Sequence, residues 1–276
     1  MTEKKLKMQQ QLFALTLCTI VFMAVYNLSS RYASSLNNVP SFTFDFERII
    51  PFVPLSIIPY MSSGVFFCLV FFLCQNKKQL KILTWRMLFV TVTAGFFFIT
   101  VPLRFSLVKP EVSDSILKLP FSFLKSFDSP FNQSPSLHIA FAFIFWSVFK
   151  DLPKWRFFLM LWLILVGIST LTTYQHHFID VLTGGILAHA SFIIIPYRKH
   201  EPEYRNFPVA NNYFLAGWVF ISAALLLNQF IGSQGLLFFL PALITFLIGY
   251  CYQKNNIILS LFDLAKKQNI RQSEEN

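Results

Sequence analysis

The stretch FFLMLWLILVGISTLTT, residues 157–173, carries no charged side chain, and a second apolar run, 179–196, follows almost at once. A spanning helix in a bilayer needs about 20 mostly apolar residues. Of the 276 residues in the chain, 55% are hydrophobic and only 13% are charged, whereas soluble chains average about 25% charged residues. A soluble protein of this length has too little interior for so much apolar surface. The sequence therefore predicts an all-α integral membrane protein.

Eight apolar runs are long enough, or nearly so, to form transmembrane helices. These runs are 11–29, 51–74, 84–103, 135–149, 157–173, 179–196, 212–230 and 235–252. We divide the chain into a membrane domain, 1–200, that holds the candidate catalytic residues, two additional transmembrane helices in 201–253, and a polar cytoplasmic tail over 254–276.

The distribution of basic residues predicts the orientation. When the N-terminus is placed inside, most of the 23 Lys and Arg residues fall in cytoplasmic segments, which collect positive charge. The opposite side has only Arg31, Arg48, Arg104, Lys109, Lys118 and Lys125. Both termini are therefore predicted to be cytoplasmic, and the net charge of +10 reflects this asymmetry and not a nucleic-acid partner. The four cysteines show no CxxC spacing, so we expect neither a disulfide framework nor a zinc site.

Three histidines fall at helix ends on the predicted extracytoplasmic face. His138 lies at the start of the fourth apolar run, and His176 and His177 lie between the fifth and sixth. Ionisable residues near the membrane are usually functional. We therefore expect these histidines, which are distant in sequence, to converge on one site.

The segment around His176 is the first part of this site. His176 and Asp180 are four residues apart, which places them on one helical face if the turn continues into the next helix. A carboxylate beside an imidazole fixes its tautomer and leaves the other ring nitrogen free to attack an electrophile. The alternative is a histidine beside an acid that caps the helix, and the spacing does not decide between the two. His177 is expected to face the next helix or a substrate.

The segment Ser134-Pro135-Ser136-Leu137-His138 is typical of a helix start. Free backbone N–H groups at such a start bind phosphate, and His138 in the first turn could donate a proton to a leaving oxygen. Ordinary helix capping explains the same residues. Arg104 and Lys109, just after the third run, can bind phosphate oxygens or can simply lie at the membrane interface.

Together these segments resemble the type-2 phosphatidic acid phosphatase superfamily of membrane lipid phosphatases and phosphotransferases. The resemblance covers about residues 50–197 and implies a six-helix core. The family's Pro-Ser-Gly-His motif reads Pro135-Ser136-Leu137-His138 here. Its Ser-Arg, five residues, His, three residues, Asp motif is matched in spacing by Ser169-Thr170, His176 and Asp180.

The departures from the family pattern affect the phosphate clamp. The family's first motif, Lys, six residues, Arg-Pro, is replaced by Arg104, four residues, Lys109-Pro110. Thr170 stands where the third motif has Arg, and Leu137 where the second has Gly. The Pro-Ser-Leu-His form and the His-His run are similar to the inositol phosphorylceramide synthase branch. We expect Arg104 to compensate for the missing Arg.

The resemblance implies a role for each residue. His176 attacks phosphorus, Asp180 orients it, and His138 protonates the departing alcohol. Arg104, Lys109 and Ser136 bind the phosphoryl oxygens. No metal or other cofactor is implied, and Asp180 is the one acid that these motifs place.

The expected function is a lipid phosphatase on the periplasmic face of the inner membrane, with a lipid phosphate as substrate. The alternative is a lipid head-group phosphotransferase, because the same phosphoenzyme serves both reactions. A transporter is disfavoured, since the polar cluster lies at one surface and not at mid-membrane. An inactive phospholipid-binding relative is the remaining alternative.

Overall fold

The computed structural model describes residues 6–197 and 206–254, which form nine α-helices joined by short segments. The helices are α1 Met8–Ser34, α2 Ile57–Leu69, α3 Lys77–Thr100, α4 Ser115–Phe127, α5 Leu137–Phe149, α6 Arg156–Thr172, α7 Phe178–Ile194, α8 Phe207–Ile231 and α9 Phe239–Lys254. Three 3-10 turns, Asp45–Ile49, Pro54–Ser56 and Ser233–Phe238, complete the described elements. The prediction of an all-α chain is confirmed for these residues, in which the only β pairing is an isolated bridge between Leu103 and Asn132.

Four helical segments are long and apolar enough to cross a membrane, judged by length and composition. They are Met8–Ser34, Lys77–Thr100, Phe207–Ile231 and Ser233–Lys254. Four further apolar helices are shorter, and they are Pro54–Leu69, Leu137–Phe149, Arg156–Thr172 and Phe178–Ile194. This finding supports a membrane protein, and each predicted run overlaps one of these segments. The count of eight spans stays a prediction.

Several helix boundaries differ from the predicted runs for local reasons. α3 begins at Lys77, seven residues before the predicted 84, because the side-chain oxygen of Asn76 accepts a hydrogen bond from the Gln79 N–H at 2.8 Å and caps the helix. α5 begins at Leu137 and not at 135, because Ser136 keeps an extended backbone as the N-cap. The prolines at 51 and 54 confine the run 51–74 to a shorter helix.

The face of α6 illustrates how the apolar runs are divided between core and surface. Leu163 and Val166 are buried, whereas Phe157, Ile164 and Ile168 are at least half exposed. A helix that is apolar on both its buried and its exposed faces is suited to lipid on the outside. The interior next to it includes large side chains of α5 that are under 2% exposed, such as Ile144 and Phe149.

The chain divides into two compact units, Met1–Ser191 and Phe192–Asn276. In the second unit, α8 and α9 form a hairpin in which Gly217 lies against the ring of Phe246 and Gly249 against the ring of Phe214. The predicted boundary near residue 200 and the predicted tail beyond 254 lie outside the described residues.

Hydrogen bonds bring several helix ends of the first unit together at one end. The Val53 N–H, just before α2, donates to the Thr172 carbonyl at the end of α6 at 2.8 Å. The Ser136 N–H, at the start of α5, donates to the carbonyl of Asp180 in α7 at 3.0 Å. The Phe105 N–H, after α3, donates to the Pro130 carbonyl before α5 at 2.9 Å. The candidate catalytic residues lie at this end.

Candidate active site

The turn between α6 and α7 positions His176. Tyr174 adopts a left-handed backbone (φ 55), and the N–H groups of Gln175 and His176 both donate to the Thr170 carbonyl, at 3.1 and 3.0 Å. Tyr174 is a residue type that adopts this conformation only at a cost. The tight turn places the imidazole of His176 directly beside the first turn of α7.

Asp180 joins the two histidines. Its Oδ2 accepts the backbone N–H of His177 at 2.8 Å and lies 3.2 Å from Nδ1 of His176. An acid in the first turn that reaches back to the N-cap N–H is half of a capping box. The predicted pairing of His176 with Asp180 is therefore present, but it arises from capping, since α7 begins only at Phe178. Asp180 is completely buried, and His176 is 7% exposed.

The two ring nitrogens of His176 are unequal. Nδ1 faces the carboxylate, whereas Nε2 has no hydrogen bond to the residues that the structure describes. The ring of His138 lies edge-on to the ring of His176, with 5.5 Å between the centroids. His138 lies in the first turn of α5, as predicted, and its own ring nitrogens likewise lack a hydrogen bond within the described part of the chain.

The starts of α5 and α7 approach each other closely. A Cβ on Gly184 would lie 2.6 Å from the Ser136 carbonyl oxygen and 2.9 Å from Cβ of Ile139, so only glycine permits this packing. The Ser136 hydroxyl and Oδ1 of Asp180 are both buried, and neither has a hydrogen-bond partner among the residues that the structure describes. Two helix starts with unused N–H groups carry partial positive charge, which favours an anion here.

His177 differs from its neighbour because both of its ring nitrogens are occupied. Its Nδ1 lies 2.9 Å from Oε2 of Glu47, and its Nε2 accepts the backbone N–H of Ser106 at 3.1 Å. Because Nε2 accepts, the proton is on Nδ1 and is donated to Glu47. The Phe105 ring stacks on the imidazole at 4.4 Å. The expectation that His177 faces the next helix or a substrate is not what the structure shows.

Glu47 is one of two acids near these histidines that the motifs do not place and that sequence reasoning missed. Glu47 is 2% exposed, and its Oε1 accepts the Phe44 N–H at 2.8 Å. Asp128 is the second. Its Oδ2 accepts the Tyr60 hydroxyl at 2.6 Å, and its Oδ1 accepts the Tyr26 hydroxyl and the Ser129 N–H.

Of the two predicted phosphate-binding cations, Lys109 lies at the turn that carries His176. Its ammonium donates to Oε1 of Gln175 at 2.7 Å and lies 5.2 Å from the centre of the Phe105 ring. Burial of the ammonium lowers the pKa of Lys109, and the negative charge of Asp128 partly opposes this shift. The exposed side chain of Arg104 makes no hydrogen bond or ion pair with other described residues, and its backbone N–H donates to the Pro40 carbonyl at 2.9 Å.

The position of the missing third-motif Arg is buried. Thr170 is completely buried, and its hydroxyl donates to the Gly167 carbonyl of its own helix at 2.7 Å. In the described ranges, 6–197 and 206–254, no group of three or more His, Cys, Asp or Glu residues could hold a metal ion. No protein-family model, curated protein or solved structure matches the chain. The functional argument therefore rests on the residues themselves.

Proposed function

We propose that this chain is a membrane lipid phosphatase that hydrolyses a lipid phosphate ester through a phosphohistidine at His176. The observation that carries the proposal is the asymmetry of this imidazole. Its Nδ1 contacts the buried carboxylate of Asp180, and its Nε2 has no hydrogen bond to the described residues. A carboxylate that keeps the proton on one nitrogen leaves a lone pair on the other, which is the state of a nucleophile. The resemblance to the metal-independent lipid phosphatases points the same way.

The reaction has two steps. In the first, Nε2 of His176 forms a bond to phosphorus while the bond from phosphorus to the lipid oxygen breaks, and His138 gives that oxygen a proton. In the second, His138 takes a proton from water, which attacks phosphorus, breaks the bond to nitrogen and releases phosphate. The 5.5 Å separation of the two ring centroids supports this division of roles, since an acid must lie within reach of the leaving oxygen.

Phosphate binding is assigned to Ser136, Lys109 and Arg104. The buried hydroxyl of Ser136 has no hydrogen-bond partner among the described residues, lies where α5 and α7 begin, and can donate to a phosphoryl oxygen. The ammonium of Lys109 is held beside the turn between α6 and α7 by its hydrogen bond to Gln175. Arg104 has a free guanidinium that can close over a bound anion, because no described residue holds it. Positive groups of this kind stabilise the charge that develops in phosphoryl transfer.

A lipid head-group phosphotransferase is the second candidate. The Pro135-Ser136-Leu137-His138 motif favours it, because this form resembles the inositol phosphorylceramide synthase branch. The chemistry of the first step is identical. The second step differs only in that His138 activates an alcohol of another lipid and not water.

We assign the site to the extracytoplasmic face, from the charge asymmetry of the sequence. Val108, which precedes Lys109, is 88% exposed. In a cysteine-free background, Val108→Cys should react with a membrane-impermeant thiol reagent in intact cells. Labelling only after lysis would reverse the orientation.

The function is tested with purified protein in detergent and a panel of lipid phosphates, in the presence of a chelator. Free phosphate and phosphate moved to an added lipid alcohol are followed together, for wild type, His176→Ala and the surface control Glu111→Gln. Release of free phosphate that disappears only in His176→Ala supports the phosphatase. Movement of phosphate only to the alcohol supports the transferase. Full activity of His176→Ala would contradict both.

A further inference from the structure

His138 needs a precise orientation for proton transfer, yet no hydrogen bond to the described residues supplies one. Its ring is instead held by the Tyr60 ring, which stacks on it with centroids 4.4 Å apart and an interplanar angle of 30°. The other ring contact of His138 is the edge-on ring of His176. The position of His138 relative to the nucleophile therefore depends on where Tyr60 lies.

Tyr60 is itself fixed. It is 2% exposed, and its hydroxyl donates to Oδ2 of Asp128 at 2.6 Å. The same carboxylate accepts the hydroxyl of Tyr26 and the backbone N–H of Ser129. Asp128 thus links α1, α2 and the segment before α5 through these hydrogen bonds. A carboxylate with three donors is strongly held.

We propose that Tyr60, anchored by Asp128, is the positioning residue for His138, and that it orients the imidazole for proton transfer to the leaving oxygen. This inference rests on the proposed function. Stacking fixes the plane of the ring and leaves both nitrogens open, so the proton can move between the leaving group and the acceptor. A displacement of about 1 Å in a catalytic group can cost about 100-fold in rate.

The dependence on the leaving group separates this role from a purely structural one. In the first step the proton from His138 reaches the lipid oxygen as its bond to phosphorus breaks, which is essential for an alkoxide and unnecessary for a nitrophenolate. Loss of orientation should therefore affect an alkyl phosphate strongly and 4-nitrophenyl phosphate weakly. The constant kcat/KM is the correct measure, because it reports the step in which the leaving group departs and not the breakdown of the shared phosphoenzyme.

The experiment compares kcat/KM for a short-chain dialkylglycerol phosphate and for 4-nitrophenyl phosphate. The variants are Tyr60→Leu and Tyr60→Phe, with His138→Ala as the reference and Tyr32→Leu, an exposed tyrosine of α1, as the matched control. We expect Tyr60→Leu to lower the alkyl value by about 10- to 100-fold and the nitrophenyl value less than about 3-fold, because a misoriented acid loses part of the roughly 10²- to 10⁴-fold that general acid catalysis contributes. Tyr60→Phe keeps the aromatic ring, so it should change the ratio of the alkyl to the nitrophenyl kcat/KM in the same direction but by less.

An equal loss for both esters in Tyr60→Leu, or no loss for either, would overturn the inference while the proposed function stands. If wild type turns over neither ester, or His138→Ala loses both equally, the proposed acid role fails and the inference fails with it. Should Tyr60→Leu not fold, Tyr60→Phe provides the comparison, because it breaks the hydrogen bond to Asp128 and leaves in place the carboxylate, which acts electrostatically on His138 itself. An unchanged ratio of the two kcat/KM values in folded Tyr60→Phe is then the contradicting result.

Discussion

His176 and His177 are neighbours in sequence, and each contacts a buried carboxylate, yet their surroundings differ in kind. His176 uses one nitrogen, on Asp180, and keeps the other free of hydrogen bonds to the described residues. His177 uses both, on Glu47 and Ser106, and it stacks on Phe105. A histidine with both nitrogens bonded can position its neighbours but has no lone pair to offer. Under the proposed function, the chemistry falls to His176 and His177 has a supporting role.

The support that His177 provides reaches several parts of the site. Through Glu47 it fixes the 3-10 turn Asp45–Ile49, and through Ser106 it fixes the segment that leads to Lys109. Its own backbone N–H is bonded to Asp180, which faces His176. The two dyads therefore share one helix start, and variants of each should have separable effects.

The largest expected effect separates the two histidines directly. His176→Gln should lower kcat by at least about 10³-fold with little change in thermal stability, because the proposed nucleophile is removed. His177→Gln should keep measurable turnover but unfold at a lower temperature, because glutamine cannot satisfy both Glu47 and Ser106. Initial rates and thermal unfolding in detergent measure both. A His177→Gln protein that is fully inactive and as stable as wild type would break the comparison.

The close approach of α5 and α7 concerns the surroundings of His176 and not those of His177. Gly184→Ala would place a methyl group 2.6 Å from the Ser136 carbonyl oxygen and separate the two helix starts. We expect it to cost about 1–3 kcal/mol of unfolding free energy, as overpacking does, and to reduce turnover. Gly64→Ala is the matched control, since a Cβ there meets nothing within 4 Å. Equal behaviour of the two variants would remove the steric argument.

On the His177 side, Glu47→Gln tests the second dyad. A glutamine offers one acceptor where the carboxylate accepts from both His177 and the Phe44 N–H. The loss of one of these buried hydrogen bonds should lower the free energy of unfolding by about 1–3 kcal/mol, measured by denaturant or thermal unfolding. The exposed Glu111→Gln should stay within about 0.5 kcal/mol of wild type. Phosphoenzyme formation should survive in Glu47→Gln, and its complete loss at unchanged stability would give Glu47 a chemical role.

Lys109 provides the smallest expected effect. Because partial desolvation of the ammonium lowers the pKa of Lys109 below the ordinary 10.5, its positive charge is lost at a lower pH than for a fully hydrated lysine. Binding of inorganic phosphate should weaken about tenfold as pH rises through this lowered pKa, and Lys109→Arg, which stays charged, should not show that step. In the same interval the unfolded chain binds the proton more tightly, so the free energy of unfolding rises with pH. Identical pH profiles for wild type and Lys109→Arg would contradict this.

The helices were predictable because a run of consecutive apolar residues can be read directly from the local sequence. The start of α5 is an example, since Ser136 and the following residues give a capping pattern that the structure shifts by only two positions. The pairing of His176 with Asp180 was predictable from their four-residue spacing. Whether they form a catalytic pair stays a prediction.

The rest of the site depends on tertiary contacts that no spacing encodes. Glu47 is 130 residues from His177, and Asp128 is 68 residues from Tyr60. The small number of acidic residues was the one signal in the sequence that could have pointed to them. The chain has only 13 acids, and these two lie between α-helices, beside aromatic residues. A buried carboxylate needs several donors, which come from residues that only the folded chain brings together.

The most direct test of the central claim is to trap the phosphoenzyme. A substrate with a labelled phosphate is mixed with wild type, His176→Gln and His177→Gln and quenched rapidly, and acid-labile, alkali-stable label on the protein is counted. The account predicts label on wild type and on His177→Gln, and none on His176→Gln. Label that survives in His176→Gln and disappears in His177→Gln, or turnover by wild type without any labelled protein, would contradict it.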